Sequence, residues 1–423
     1  MSDVIAHMLP NGMLVLLRES HAAPVASCFL WYRVGSRNET LGATGVSHWV
    51  EHMLFKGTPA IPKGEMDRLI ARNGGTFNAF TSTDYTAYYE TLPADRIGLA
   101  LHIEADRMVN SLFEPEEVES ERTVILAERE GYENDPDWWL NEAVMAAAFQ
   151  VHPYRNEVIG WRSDLLALTR DDLVRHYQTF YTPNNAILVL VGDFASGAML
   201  AQVERLFAPL PPGPPVPPVR LEEPEQQGER RVIVRRPGAA QYVQLAYHVP
   251  ACRHPDFAPL LVLDAVLSGA KPLSYGGAQT NRSARLYRAL VETGLASYAG
   301  SSFRATIDPH LFEFSATVQE GHTAAEVEAA LAAEVEKIQQ EGVSADELAK
   351  VQKQVRAQLA YSGESVTGQA LLLGMWEVLD TFRRNYTLLD EVRAVTAADV
   401  QRVAQRYLVV DKRTVGHFIP TEH

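Results

Sequence analysis

Near the middle of the 423-residue chain, Leu210 to Pro218 reads LPPGPPVPP. Proline lacks a backbone N–H and fixes φ, so this stretch can be neither a helix nor a central strand. It reads as a polyproline spacer. About half of the chain lies on each side, and the whole is longer than one typical core. The expected organisation is two domains of similar size, 1–208 and 226–423, joined by a linker over 209–225.

The second fixed point is Val46 to Phe55 (VSHWVEHMLF), with no proline or glycine and with apolar residues at helical spacing. That pattern predicts a buried helix. Positions i and i+4 share a helix face, so His48 and His52 can present ring nitrogens to one metal. Glu51 projects to the same side, within reach of a water on that metal. Zinc chemistry uses this set: neutral imidazoles, an open position for water, and a carboxylate to take its proton. The bland alternative is a pair of satisfied core histidines. Glu51 weakens it, because an unpaired buried carboxylate is costly. His-x-x-Glu-His is also the inverted zinc-protease signature. A catalytic zinc needs a third protein ligand. The acids between Glu114 and Glu128 are candidates, and composition does not choose among them.

Met13 to Arg18 and Val25 to Val34 read as neighbouring strands. Lys56-Gly57-Thr58-Pro59 stops the metal helix, and 63–72 reads as a short helix. Thr76 to Glu90 suggests two strands joined near Ser82-Thr83-Asp84. Residues 93–109, 117–131 and 135–149 have helical periodicity. In the second of these, Val118, Val124, Ile125 and Ala127 form the expected apolar face, with Glu121 and Glu128 near one side. Thr169 caps a helix running to Phe180, followed by an apolar strand from Ala186 to Gly192. Val395-Thr396 opens a parallel pattern: a helix to Tyr407, then a strand from Thr414 to Ile419. Likewise Tyr242 to His248 and Phe257 to Leu267 stand in the places of the first half's strand and metal helix. With Leu54 matched to Leu267, His48, Glu51 and His52 fall opposite Leu261, Asp264 and Ala265. The halves read as an internal duplication in which one copy kept the metal residues. Ser274-Tyr275-Gly276-Gly277-Ala278 lacks a nucleotide fingerprint and is expected to be a loop of the second half.

Composition narrows the classes further. Hydrophobic content of 46% and charged content of 22% fit a globular protein. A net charge of −15 argues against nucleic-acid binding, which needs a basic face. Cys28 and Cys252 are far apart, so neither a disulfide framework nor a cysteine zinc site is expected. No signal peptide or membrane-length apolar run is evident. The expectation is a cytoplasmic protein, or a periplasmic one if a leader has been removed.

His48-Trp-Val-Glu51-His52, Phe55-Lys56-Gly57-Thr58, Asn78-Ala79-Phe80-Thr81 and the run from Glu121 to Glu128 (ERTVILAE) together carry a resemblance. Over nearly its whole length the chain resembles the inverzincin (pitrilysin-like) metallopeptidases. It is most similar to their half-length branch related to mitochondrial processing peptidase, and looks like the zinc-binding subunit of a bacterial two-subunit peptidase. The resemblance implies an α+β fold of two similar domains, each an antiparallel sheet covered by helices. It implies a zinc endopeptidase of short or unfolded peptides, with one Zn2+ per chain on His48, His52 and Glu128. Glu51 would activate water, and Glu121 would support the site by orienting a ligand. Asn78 and Ala79 match positions that contact substrate backbone. Their stretch alternates polar and apolar residues without proline, as expected of an edge that accepts an extended peptide. The alternatives are a non-catalytic assembly subunit, disfavoured by the intact His48, Glu51, His52 and Glu128, and a metal-storage protein, disfavoured by the scarcity of cysteine.

Active relatives carry, in the second half, an arginine seven residues before a tyrosine, and both contact substrate. Here the tyrosine is Tyr298, but seven residues earlier stands Val291. Recruiting Arg288 or Arg285 requires a shift that turns the side chain to another helix face. The expectation is a homologous partner subunit that supplies the pair in a heterodimer, with a homodimer as the alternative. No nucleic-acid or membrane partner is expected.

Overall fold

The computed structural model describes residues 3–272 and 281–421; the Ser274–Ala278 stretch lies outside them. In chain order the strands are β1 (Val4–Met8), β2 (Leu14–Glu19), β3 (Val25–Tyr32), β4 (Thr76–Thr81), β5 (Thr86–Pro93), β6 (Ala186–Gly192), β7 (Arg230–Pro237), β8 (Tyr242–Val249), β9 (Ala296–Phe303), β10 (His310–Val318) and β11 (Arg413–Thr421). The helices of the first half are α1 (Val46–Met53), α2 (Glu65–Arg72), α3 (Gly98–Asn110), α4 (Pro115–Glu133), α5 (Pro136–Ala148), α6 (Arg162–Ala167), α7 (Arg170–Phe180) and α8 (Ser196–Phe207). Those of the second are α9 (Phe257–Ser268), α10 (Ala324–Glu341), α11 (Ala345–Ser362), α12 (Val366–Leu379), α13 (Arg384–Ala394) and α14 (Ala397–Tyr407).

These elements form two compact units, neither of them a continuous stretch. The first comprises Met1–Glu130, Asn156–Arg220 and Gly363–Arg383; the second comprises Gly131–Arg155, Leu221–Ser362 and Arg384–His423. The proline-rich residues 210–218 carry no helix or strand. The units differ from 1–208 and 226–423 because each holds one helix from the other half of the chain: α5 belongs to the second unit and α12 to the first.

In the first unit the strand order is β1-β2-β6-β3-β5-β4. Every residue of β6 is buried, which suits a central strand. It lies between β2 and β3, so those two are not the neighbours expected from the sequence. β6 runs parallel to β2 and antiparallel to β3. α12 packs on β3 and β6, and its Gly374 leaves room for the Trp31 indole. A Cβ there would stand 2.0 Å from Trp31 Nε1.

The second unit has the order β7-β11-β8-β10-β9, with β7 parallel to β11 and the other pairs antiparallel. This repeats β2-β6-β3-β5-β4 strand for strand, as a duplication requires. Both sheets are therefore mixed rather than wholly antiparallel. A parallel pair needs a long crossover, and the helices between β5 and β6 provide one in the first unit. α5 covers the second sheet, where Leu140, Val144, Met145, Ala148 and Phe149 pack with Ala246, Leu311 and Phe418. Cys28 and Cys252 are buried free thiols. No described helix is long and apolar enough to cross a membrane.

Burial pushes His176, in the first unit, and His310, in the second, down to a pKa of about 3. The unfolded chain takes up these protons near pH 6.5, well before the folded one does. Stability is thus full above that pH and falls as pH drops from there towards 3, by about 1.4 kcal/mol per pH unit for each histidine. The urea midpoint should accordingly decline on acidification below pH ~6.5. His310 packs against the Phe149 and Tyr154 rings, so His310→Phe should flatten that decline. A midpoint that holds constant on acidification would contradict this account.

Candidate metal centre

α1 begins at Gly45, which adopts a left-handed φ of +86°. A Cβ there would lie 2.6 Å from the Ile159 carbonyl oxygen, so only glycine fits the approach. The free N–H groups at this end donate to one buried carboxylate: Glu39 accepts from Gly45 N and Ser47 N, each at 2.8 Å. Burial pushes Glu39 up to about 7 against the pull of those donors. Asp164 of α6 secures the preceding loop, accepting from Gly42 N, Thr44 N and the Thr44 hydroxyl.

α4 crosses nearby and turns an unexpected face inward. Val118, Glu121, Ile125 and Arg129 are its buried residues. Val118 and Ile125 are buried as the periodicity read them, whereas Val124 is 48% exposed and Ala127 also faces out. The face is charged because both glutamates turn towards α1 and an arginine follows each. Arg122 lies over the Trp49 ring at 4.7 Å and donates to the Leu165 and Leu168 carbonyls. Arg129 donates to the Gly160 carbonyl at 2.6 Å. These two anchors hold the helix that carries Glu121 and Glu128.

Between α1 and α4 the ligand atoms converge. His48 Nε2 and His52 Nε2 are 3.2 Å apart, and Glu128 Oε2 is 3.7 Å from each. Ligands of tetrahedral zinc at 2.0–2.1 Å from the ion lie roughly 3.4 Å from one another. The spacing and the two-nitrogen, one-oxygen donor set therefore fit zinc. Among the described residues, these three form the group able to hold a metal ion.

Electrostatics treats the two histidines differently. Burial, then the charge of His52, pushes His48 down to about 3, so it is neutral at pH 7. Its buried Nδ1 has no hydrogen-bond partner among the described residues. His52 is raised: burial opposes protonation, but the Glu121 hydrogen bond and nearby carboxylates outweigh it. His52 Nδ1 donates to Glu121 Oε1 at 2.8 Å, which fixes the tautomer and aims Nε2 at the other ligands. Glu121 also pairs with Lys56. Burial works to raise the Glu121 carboxyl, but the His52 and Lys56 hydrogen bonds win and hold it below its usual range.

Glu51 is 8% exposed, and burial pushes its carboxyl up despite a 2.5 Å hydrogen bond from the Thr81 hydroxyl. Thr81 ends β4, an outer strand of the first sheet. On the same strand, Asn78 Oδ1 accepts from the Ala79 N–H at 2.9 Å. Tyr298 lies on β9, the matching outer strand of the second unit, and is 39% exposed. Val291 lies in a π-helical turn, and Arg285 is held by Glu347 and the Gly342 carbonyl. Glu39, Arg129 and Asp164 stand outside the motifs read from the sequence, and Lys56, Thr81 and Arg122 stand inside them with no role of their own. The repeated Glu-Arg pair at 121–122 and 128–129 was the available signal for the two arginines.

Known proteins share this chain's sequence pattern and fold. Residues 14–161 match the profile of the insulinase family, peptidase family M16, and residues 167–355 match the peptidase M16 inactive domain. The zinc protease PqqE of Helicobacter pylori is 29% identical over 405 residues, covering 94% of this chain and 89% of that protein. The mitochondrial-processing peptidase subunit beta of Lentinula edodes is 27% identical over 407 residues, covering 95% and 86%. The crystal structure of a protease from Helicobacter pylori aligns with a TM-score of 0.93 at 28% identity, covering 99% of both chains. With two adjoining profiles of one family spanning most of its length, the chain belongs to the M16 (pitrilysin/insulinase) family of zinc proteases.

Proposed function

We propose that this protein is an endopeptidase of short or unfolded peptides, working with one zinc ion per chain on His48, His52 and Glu128. The observation that carries the reading is the convergence of those three ligand atoms beside Glu51, the buried glutamate of the helix that bears both histidines. A zinc ion bound there supplies Lewis acidity towards water and the scissile carbonyl. Glu51 takes the proton of the attacking water and then delivers it to the leaving amine. Its raised pKa suits a group that must both accept and return a proton. Glu121 keeps His52 in the ligating tautomer. The outer strand β4, with Asn78 and Ala79, pairs with the peptide backbone and so selects extended segments over folded ones. A peptide pairing there displaces Asn78 from the Ala79 N–H.

The second half points to a partner. Val291 stands where an arginine is needed, and Arg285 is already engaged by Glu347. The relative from Lentinula edodes is named as a subunit. A homologous subunit then supplies the arginine and tyrosine, with Tyr298 of this chain left as a lesser substrate contact.

One experiment tests both parts. The purified chain should contain one equivalent of zinc and cleave an unfolded peptide, but not a stable disulfide-bonded globular protein, and chelator should stop the cleavage. Adding the homologous subunit should raise the rate. Cleavage that persists without metal would overturn the enzyme reading. Full activity from the isolated chain, unchanged by a partner, would overturn the heterodimer.

A further inference from the structure

The Thr81 hydroxyl hydrogen is committed. It donates to Glu51 Oε2 at 2.5 Å, while Thr86, at 3.4 Å, spends its own hydrogen on the Val34 carbonyl at 2.9 Å. Thr81 thus links the glutamate of α1 to the end of an outer strand. The second unit contains the same link without the metal residues. Asp264 on α9, opposite Glu51 in the duplication, accepts from the Ser301 hydroxyl of β9 at 2.5 Å. There Lys271 Nζ closes on both Asp264 oxygens at 2.7 and 2.9 Å, so the carboxylate is neutralised inside the unit. One copy of the link therefore ends in a closed ion pair, and the other ends beside the metal ligands.

We propose that Thr81 is a positioning residue for Glu51, a role that rests on reading Glu51 as the general base. Glutamate has three side-chain torsions to fix. Tying Oε2 to the strand leaves Oε1 to take the water proton and hand it to the leaving amine. Because β4 is also the strand expected to pair with the peptide, one element sets the register of both base and substrate. The Ser301–Asp264 copy is the structural counterpart and serves as an internal control.

Thr81→Val keeps the β-branched shape and removes the donor. The zinc-loaded chain, with its partner subunit present if activity needs one, should lose kcat about ten- to a hundredfold on an unfolded peptide. KM and zinc content should stay at wild-type values, while the thermal midpoint falls because the buried Glu51 carboxylate loses a donor. Thr81→Ser should restore most of kcat. In a Glu51→Gln background, Thr81→Val should cost nothing further, since both changes act through one carboxylate. Ser301→Ala should likewise lower the thermal midpoint but leave kcat unchanged. An unaltered kcat in Thr81→Val beside an inactive Glu51→Gln overturns the positioning role alone. Loss of zinc in Thr81→Val, or additive losses in the double variant, also overturns it. Wild-type activity in Glu51→Gln overturns the reading of the base itself.

Discussion

Glu51→Gln should retain a full equivalent of zinc and lose turnover by about 10²- to 10⁴-fold, the range ascribed to a positioned general base. Glutamine matches the shape of the side chain and can still accept the Thr81 hydrogen bond. It cannot take a proton from water at neutral pH. Because His48, His52 and Glu128 are untouched, metal content and kcat should separate cleanly in this variant. Zinc analysis with steady-state kinetics on an unfolded peptide is the check. A variant within about tenfold of the wild-type rate would remove Glu51 from the mechanism, since a general base contributes more than that.

Replacing both histidines by alanine should abolish zinc binding. His48 and His52 supply two of the three converging atoms, and Glu128 alone offers one carboxylate oxygen. The effect reaches stability, because an ion that binds only the folded chain stabilises it by mass action, by about 4 kcal/mol at a thousandfold excess over Kd. Chelator should therefore lower the thermal midpoint of the wild type and leave the double variant's midpoint unmoved. Glu121→Gln should show an intermediate outcome, with zinc still bound at one equivalent but about 10–100-fold more weakly. Stoichiometric zinc in His48→Ala/His52→Ala would refute the ligand assignment.

How much of this was legible beforehand depended on how local each signal was. α1 could be read from ten residues, because spacing along one helix places His48, Glu51 and His52 on neighbouring faces. β6 and the helix capped by Thr169 were equally plain, since an all-apolar run and a capping box are short-range patterns. The position of β6 between β2 and β3 was not legible, because strand order is set by contacts between distant segments. The inward face of α4 misled for a physical reason. Hydrophobic periodicity assumes that apolar residues point inward, whereas this helix points Glu121 and Arg129 inward and leaves Val124 in solvent. The linking residues Glu39, Asp164 and Thr81 were equally hidden. Each acts across 6 to 122 positions of chain through a single carboxylate or hydroxyl.

The exchange of α5 and α12 bears on why a half without metal ligands persists. Deleting everything after the proline-rich stretch would remove the copy that lacks the histidine pair, yet would also strip β3 and β6 of α12 and leave the Trp31 slot empty. Deleting everything before it would strip the second sheet of Leu140 and Val144. Each copy owns part of the other's interior, so neither can be shed or transplanted as a cassette. A change that suits one copy is therefore also tested in the other, through α12 in the first unit and α5 in the second.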